Sequence, residues 1–409
     1  AQANDTEGAL RHLGSVPAQG SLSPFVAEQQ AFILLRGRRL ADAAPLVQQA
    51  LASAQGRERR LRIGFADAYV RAGAREEALK LLSGTDPVIT AARQRVERGD
   101  RLDTAITNPA EAFAELLLAF AIDLNRQEGR DLPIAMAQVA RHTDPSNAEA
   151  AIILGMLLGA EGRGDDSVAV LRSVPESSPF AIQARDAEIR TLITADLGQE
   201  ALARAQAWAA NEGSTEDWAR VGDVLDNLDR HVDAAAAYGR ALQLAQARGG
   251  ELWTLYLLQG ASWEQAKRWP EAEAALERAF ALAPNNPVVL NYLGYARLER
   301  GEQMDEAEAL IARASSLAPD DASITDSLGW AQFKRGKVQQ AITTLQRAAA
   351  ADPGQAEIHE HLGDALYTAG RKFEARFAWR AALVTAEDDV KQRVEAKIDA
   401  GLNPRNAAP

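Results

Sequence analysis

One five-residue pattern occurs three times between Pro284 and Trp379, and it decides the fold. The copies read Asn291-Tyr292-Leu293-Gly294-Tyr295, Asp326-Ser327-Leu328-Gly329-Trp330 and Glu360-His361-Leu362-Gly363-Asp364. Their glycines lie 35 and 34 residues apart, and seven residues after each comes a second glycine, at Gly301, Gly336 and Gly370. A fixed period of this length indicates a tandem array in which each unit is a pair of short helices.

The rest of the chain carries the same helical signal in weaker form. Apolar residues recur three and four positions apart between short breaks at glycine, which is typical of amphipathic helices. The composition, with 47% hydrophobic and 25% charged residues, is that of a folded protein. Helices this short are unstable alone, so neighbouring hairpins must bury each other's apolar faces. We therefore predict an all-α protein, a right-handed α-solenoid superhelix of helix-turn-helix repeats.

Small residues predict where the two helices of each repeat cross. The repeated glycine lies on the first helix, and an alanine lies at a matching distance on the second, at Ala307, Ala341 and Ala375. Only small side chains let two helix backbones approach closely. Asn286-Pro287 predicts a helix start, because Asn accepts free amide bonds and Pro gives up an amide that has no partner.

Changes in regularity divide the chain into six predicted segments. The irregular stretch around Asn108-Pro109 is the best candidate for a domain boundary. The predicted segments are a flexible leader (1–24), N-terminal helical hairpins (25–107), degenerate repeats (108–214), a regular array (215–388), a capping helix (389–402) and a disordered tail (403–409).

Charge argues against nucleic acid as the main ligand. The net charge is −12, whereas affinity for phosphate backbones comes mostly from Lys and Arg. Arg57, Arg59, Arg60 and Arg62 form a local basic cluster. Short arginine clusters without interleaved aromatic residues are weak nucleic-acid signals, so we interpret this one as a solvated helix face.

The sequence contains no recognisable catalytic, metal-binding or cofactor-binding motif. There is no cysteine, and the five histidines form no HExxH pattern. The longest apolar runs, 112–124 and 150–160, are shorter than the roughly 20 residues that cross a bilayer. We therefore predict a protein that is not an enzyme and has no cofactor, no metal site and no transmembrane segment. An enzyme site in the irregular N-terminal third is a remaining alternative without motif support.

The spacing of Leu-Gly, Ala and Pro resembles the tetratricopeptide repeat. Further stretches, such as Leu252-Trp253-Thr254-Leu255-Tyr256 and Arg268-Trp269-Pro270-Glu271-Ala272-Glu273, resemble a group of bacterial envelope lipoproteins and exported proteins. One of these acts as an adaptor for a periplasmic carboxyl-terminal processing protease. The resemblance implies a scaffold that binds protein or peptide partners, such as that protease or its substrates, in the periplasm or peripheral to the envelope membrane. The sequence departs from the lipoproteins in having no cysteine to accept a lipid, which argues against membrane anchoring. A cytoplasmic assembly or co-chaperone module is the alternative.

The resemblance also implies a binding groove lined by the first helix of each repeat. Carried over residue by residue, the candidate groove positions are Asp223, Asn227, Asn291, Tyr295, Asp326, Trp330, Phe333, Glu360, Asp364 and Tyr367. We expect Tyr295 and Trp330 to be exposed anchors, whereas Phe333 and Tyr367 fit either ligand contact or packing between repeats. Acidic and aromatic groove positions favour a partner segment with basic and apolar side chains over an acidic one.

Overall fold

The structure is a computed structural model that describes residues 5–16, 23–54, 56–125, 131–210, 213–250 and 252–408. Every regular element within these ranges is an α-helix, as predicted, and none of the residues described is in a strand. Internal contacts divide the chain into two compact units, Ala1–Arg204 and Ala205–Pro409. Unit 1 and unit 2 denote these parts below.

Unit 1 consists of helical hairpins, and the division between the units falls within α12. Its helices are α1 Thr6–Gly14, α2 Ser23–Arg36, α3 Leu40–Ala52, α4 Glu58–Ala72, α5 Arg75–Leu81, α6 Pro87–Arg98, α7 Pro109–Leu124, α8 Asp131–Thr143, α9 Ala148–Ala160, α10 Gly164–Leu171, α11 Ala181–Thr194 and α12 Gly198–Ala210.

Unit 2 consists of five regular hairpins followed by one further helix. Its helices are α13 Thr215–Asn227, α14 His231–Ala247, α15 Trp253–Gln265, α16 Trp269–Leu282, α17 Pro287–Glu299, α18 Met304–Leu317, α19 Ala322–Lys334, α20 Val338–Ala351, α21 Ala356–Thr368, α22 Lys372–Ala382 and α23 Asp388–Ala400. We call the first helix of each hairpin an A helix and the second a B helix.

The helix crossings lie where the small residues predict them. A Cβ atom added to Gly329 would come within 2.6 Å of Leu345 Cγ, and one added to Gly294 would come within 2.7 Å of Ile311 Cγ1. The facing alanine Ala341 is fully buried. A larger side chain at these glycines would therefore push the A and B helices apart.

The second glycine of the repeat ends the A helix in a left-handed conformation. Gly336 has a φ of +74°, which L-residues with side chains adopt only at a cost. Asp229 and Lys267 take this conformation at the same position of earlier repeats, with φ of +56° and +58°. The turn therefore has the same backbone conformation in these repeats although the glycine is replaced. The replacement makes the repeat pattern harder to recognise in the sequence at that position.

Helix α17 begins as predicted at Asn286-Pro287. Asn286 Oδ1 accepts hydrogen bonds from the backbone N–H groups of Val288 and Val289, at 3.0 and 3.2 Å. The asparagine thus satisfies two of the amides that a helix start leaves without a partner.

The boundary that we predicted at 107/108 lies inside unit 1. The irregular segment before it packs on α4, where Asp67 Oδ2 accepts hydrogen bonds from the N–H groups of Thr104 and Ala105, at 2.9 and 3.0 Å. Arg60 Nη1 donates to Thr104 O at 3.1 Å. An irregular backbone whose polar groups are satisfied by a neighbouring helix does not separate domains.

The basic cluster that we interpreted as a solvated face is largely an internal ion-pair network, and that interpretation is wrong for two of its residues. Arg57 Nη2 lies 2.9 Å from Glu28 Oε2, and Arg60 Nη2 lies 3.1 Å from Glu115 Oε2. Arg60 Nε is also 3.3 Å from Glu149 Oε2. Burial raises the pKa of Glu28 and of Glu149 to about 7, although the arginines act against it.

The predicted leader contains one short helix, which a loose leader allows, whereas the tail differs from the disordered segment that we predicted. In the leader, α1 forms a helix, and residues 1–4 and 17–22 lie outside the described residues. In the tail, residues 403–408 form a turn, because Asn406 Oδ1 accepts from Asn403 N–H at 2.8 Å and Asn406 Nδ2 donates to Gly401 O at 2.9 Å. The prediction of disorder for 403–408 is therefore wrong.

Within the described part of the chain, no helix combines the length and the apolar character that a membrane crossing requires.

Candidate functional site

The A helices of unit 2 lie side by side and form one surface, which we call the A-helix face. Contacts join α15 to α17, α17 to α19 and α19 to α21. Ser262 Oγ on α15 donates to Asp226 Oδ2 on α13 at 2.6 Å, which links the first hairpin to the second. All ten predicted groove residues lie on A helices, but the structure exposes them to very different degrees.

At the α13 end the predicted residues are open to solvent. Asp223 and Asn227 are both exposed. Tyr238 from the B helix donates its hydroxyl to Asp223 Oδ1 at 2.7 Å and so fixes the orientation of that carboxylate.

In the middle of the face, Asn291 and Tyr295 of α17 are half-buried. Burial raises the pKa of the Tyr295 hydroxyl, and the negative charges of Glu299 and Asp326 raise it further. Tyr295 is therefore a neutral hydrogen-bonding group in acidic surroundings at any physiological pH. Tyr295 is thus less exposed than we predicted, and its role as a ligand anchor stays a prediction.

Two acids beside Tyr295 have no basic partner in the described structure. No lysine, arginine or histidine described here lies within 4 Å of the carboxylates of Glu264 or Glu299. Burial raises the pKa of Glu264, and the charge of Glu299 adds to the effect. Glu299 Oε1 and Asn291 Oδ1 are buried atoms that accept no hydrogen bond from the described residues. Sequence reasoning missed Glu299, although it lies one helical turn after the predicted groove residue Tyr295 on α17.

Trp330 is not the exposed anchor that we predicted. Its side chain is only 1% exposed and stacks between His361 and Phe333, with ring centroids 4.1 and 5.0 Å apart. His361 comes from the following repeat, and its Nδ1 lies 2.9 Å from Asp326 Oδ2. A side chain of the next repeat therefore covers part of the Trp330 ring. Phe333 therefore takes part in packing between repeats.

Asp326 is likewise buried, in an ion pair with His361. Burial alone would lower the pKa of His361, but attraction to Asp326 and the hydrogen bond with it raise the pKa instead. His359 points elsewhere and contacts Pro353 O through its Nε2 at 3.1 Å. In the described part of the chain, no three acids and histidines are grouped as a metal ion would require.

Glu360 and Asp364 are also buried, because α23 supplies basic side chains to both. Lys397 Nζ lies 2.6 Å from Glu360 Oε1 and 2.8 Å from Asp364 Oδ2, and Arg393 Nη2 lies 2.9 Å from Glu360 Oε2. Burial acts to raise the pKa of Glu360, but Arg393 and Lys397 lower it overall. Our expectation of free acidic groove positions is wrong for these two residues. The missed signal was the pair Arg393 and Lys397, one helical turn apart on a helix that we interpreted only as a cap.

Beyond α23, the segment 401–408 lies on the same end of the A-helix face. The backbone N–H of Ala408 donates to Asp364 Oδ2 at 3.2 Å. The Ala408 side chain belongs to an apolar cluster that includes Leu298, Trp330 and Ala331. Burial raises the pKa of Asp364 despite Lys397 and this amide. The face is thus covered at α19, at α21 and at Leu298 of α17, and it is more open at α13, at α15 and at the Asn291 and Tyr295 positions of α17.

Unit 1 contains a separate apolar cavity of about 540 Å³ between α1, α2 and α7. Phe25, Val26, Phe32 and Phe113 are among the residues that line it. Residues 17–22, which connect α1 to α2, lie outside the described residues.

Family models match one stretch within the C-terminal half of the chain. Two models of the tetratricopeptide repeat match residues 265–328 and 327–389. Residues 265–389 are tetratricopeptide repeats. The glycines, alanines and caps described above therefore belong to the repeat itself, and the residues that it does not require are the ones that bear on binding.

Several solved structures are similar to this chain. The Cut9–Hcn1 hetero-tetramer of APC/C is 18% identical in sequence; the match covers 98% of this chain and 81% of the other, with a TM-score of 0.47. Yeast Tom70 is 11% identical; the match covers 97% of this chain and 92% of the other, with a TM-score of 0.49. YrrB, described as a TPR protein with an unusual peptide-binding site, is 18% identical. The match covers 46% of this chain and 96% of the other, with a TM-score of 0.35. No curated protein matches by sequence. At these values, nothing about the partners of this chain follows from the likeness.

Proposed function

We propose that this protein is a non-enzymatic adaptor that binds a partner protein on the A-helix face of unit 2, at the section formed by α13, α15 and α17. Tetratricopeptide repeats are protein-interaction scaffolds, and the open section is the part of this face that internal contacts leave available. The observation that carries the proposal is the pair Glu264 and Glu299, two partly buried carboxylates without a basic partner among the described residues.

The chemistry of the open section fits a basic partner segment. Acids without a basic partner attract lysine or arginine. An ion pair between the partner and Glu264 or Glu299 would relieve the repulsion between these two carboxylates. Tyr295 and the 41%-exposed Tyr292 provide flat apolar surface beside them. The α23 helix offers an internal model, because Arg393 and Lys397 satisfy Glu360 and Asp364 in this way.

The proposed place of action is the bacterial envelope, with a periplasmic processing protease or its substrates as partners. It rests on the resemblance of the repeat sequences to envelope proteins. A cytoplasmic assembly or co-chaperone module is the second candidate. Fractionation of the full gene product distinguishes the two, because recovery in the cytoplasm would contradict the envelope proposal.

Charge reversal on the open section tests the binding proposal. We expect the double variant Glu264→Lys/Glu299→Lys to recover at least about tenfold less partner than the parent in affinity capture, because like charges at an interface cost several kcal/mol. The matched control is Asp320→Lys/Glu395→Lys, which reverses two exposed acids whose side chains form no ion pair in the described structure and changes the net charge equally. Equal capture by both double variants would show that the partner binds elsewhere.

A further inference from the structure

Residues 401–408 contact the A-helix face in the manner of a bound peptide. The Ala408 N–H reaches Asp364 Oδ2, and its methyl group is buried in the cluster with Leu298 and Trp330. At the other end, Gly401 lies so close to the Tyr367 hydroxyl that a Cβ would collide with it. The segment therefore crosses from α21 towards α19 and α17, over positions that we predicted to contact a ligand.

Most of the shape of this segment comes from its own side chains. Asn403 Oδ1 accepts from Arg405 N–H at 2.9 Å, and Asn406 closes the turn from both sides. Asn403, Pro404, Arg405 and Ala407 are exposed. The segment thus behaves as a preformed turn that contacts the face at three residues: Gly401 lies against Tyr367, Leu402 is partly buried against the core of the last repeat, and Ala408 joins the Trp330 cluster.

The helix before it is attached much more firmly. Lys397 of α23 is 0% exposed and forms two short ion pairs, with Glu360 and Asp364. The C-terminal region therefore has a fixed part, α23, and a part that can leave at little cost. Because α23 stays in place, a released segment remains tethered close to the surface that it left.

We propose that residues 401–408 are a resident ligand of the A-helix face and that a partner peptide displaces them to reach Asp364 and the Trp330 cluster. The displacing peptide must offer a free backbone N–H to Asp364 and a small apolar side chain to the cluster, as Ala408 does. The statement about a partner rests on the proposed function, whereas the statement that this surface accepts a peptide stands without it.

Occupancy by the resident segment sets the apparent affinity for a competitor. Only molecules whose segment has left can bind, so the apparent dissociation constant equals the intrinsic one divided by the released fraction. A change that releases the segment without altering the face must therefore increase the affinity for an added peptide of the same sequence.

Two neighbouring alanines provide such a change and its control. Ala408→Asp, made in the full chain, places a carboxylate in the apolar cluster beside Asp364, so it expels the segment and leaves every residue of the face intact. Ala407→Asp introduces the same charge one residue earlier, at an exposed position. Circular dichroism of both variants checks that the helices are retained.

The probe is a fluorescein-labelled synthetic peptide with the sequence of residues 401–409. We expect Ala408→Asp to bind it at least about tenfold more tightly than the parent or Ala407→Asp, by fluorescence anisotropy. In hydrogen exchange, the amide of Ala408 should be protected in the parent and in Ala407→Asp but not in Ala408→Asp.

Each outcome decides the proposal. Absence of protection at Ala408 in the parent would show that the segment does not occupy the face. Protection without a gain of peptide binding in Ala408→Asp would show that the segment is a structural cap and no ligand. A gain of peptide binding combined with unaltered partner capture by Glu264→Lys/Glu299→Lys would support the resident ligand and contradict the proposed function.

Discussion

His361 connects two repeats through one ion pair and one stacked ring. It contacts Asp326 through Nδ1 and lies against the Trp330 ring, so two residues that we predicted to contact a ligand instead hold α19 to α21. The pKa of His361 is raised by Asp326 in spite of burial. The pair should therefore contribute most when the imidazole is protonated.

The sign of this effect predicts how stability depends on pH. Because the folded-state pKa of His361 lies above its unfolded value of about 6.5, the contribution of the pair is complete below pH 6.5 and is lost as pH rises through the folded pKa. We expect Asp326→Asn to reduce the free energy of unfolding by about 2 kcal/mol at pH 6 and by less at pH 8.5. Urea unfolding of parent and variant across this range measures the difference.

The difference in unfolding free energy between the parent and Asp326→Asn cancels the effect of the other titrating groups. Glu28 and Glu149 in unit 1 have pKa values raised to about 7, so they also make the parent less stable as pH rises, but they do so equally in both proteins. A gap between parent and Asp326→Asn that stays constant or widens with pH would show that His361 is neutral in the folded state.

At the scale of helices, α23 is held by a buried ammonium group that serves two acids. Lys397→Met should destabilise the protein by about 3 to 5 kcal/mol, because it leaves Glu360 and Asp364 buried without that partner. The exposed Lys391→Met is the control, with an expected change within about 0.5 kcal/mol. Thermal or urea unfolding measures both.

A second substitution tests the cause of that loss. Glu360 keeps Arg393 as a partner, whereas Asp364 loses its basic partner, so adding Asp364→Asn to Lys397→Met removes the stranded charge and should recover part of the stability. If the double variant is no more stable than Lys397→Met, the lost packing of the lysine stem, rather than unpaired charge, accounts for the effect.

The helices themselves were predictable because their determinants are close in sequence. The pattern of Gly294, Ala307 and Asn286 specifies a crossing and a cap within one repeat, and the structure places both there. What lies on the finished face was not predictable in the same way. Lys397 meets Glu360 across 37 residues and Ala408 meets Asp364 across 44, and no periodicity in the sequence links either pair. Trp330 was misjudged for the same reason, since its cover comes from the next repeat.

At the scale of the whole molecule, charge should control how fast the partner arrives. The chain carries a net charge of −12, and the open section includes two of its acids, Glu264 and Glu299, which have no basic neighbours in the described structure. Attraction between an acidic protein and a basic segment speeds the encounter and weakens as salt shortens the screening length. We expect the association rate constant to fall about tenfold between 0.05 and 0.5 M salt, with a smaller change in dissociation.

Two pairs of neutralising substitutions separate local from global charge. Glu264→Gln/Glu299→Gln and Asp320→Asn/Glu395→Asn each raise the net charge by two, yet the first pair changes the open section and the second does not. If the acids of the open section guide the partner, only the first pair flattens the salt dependence measured by surface plasmon resonance. If both pairs flatten it equally, the total charge attracts the partner and specificity must come from the tyrosines and from the surface that residues 401–408 cover.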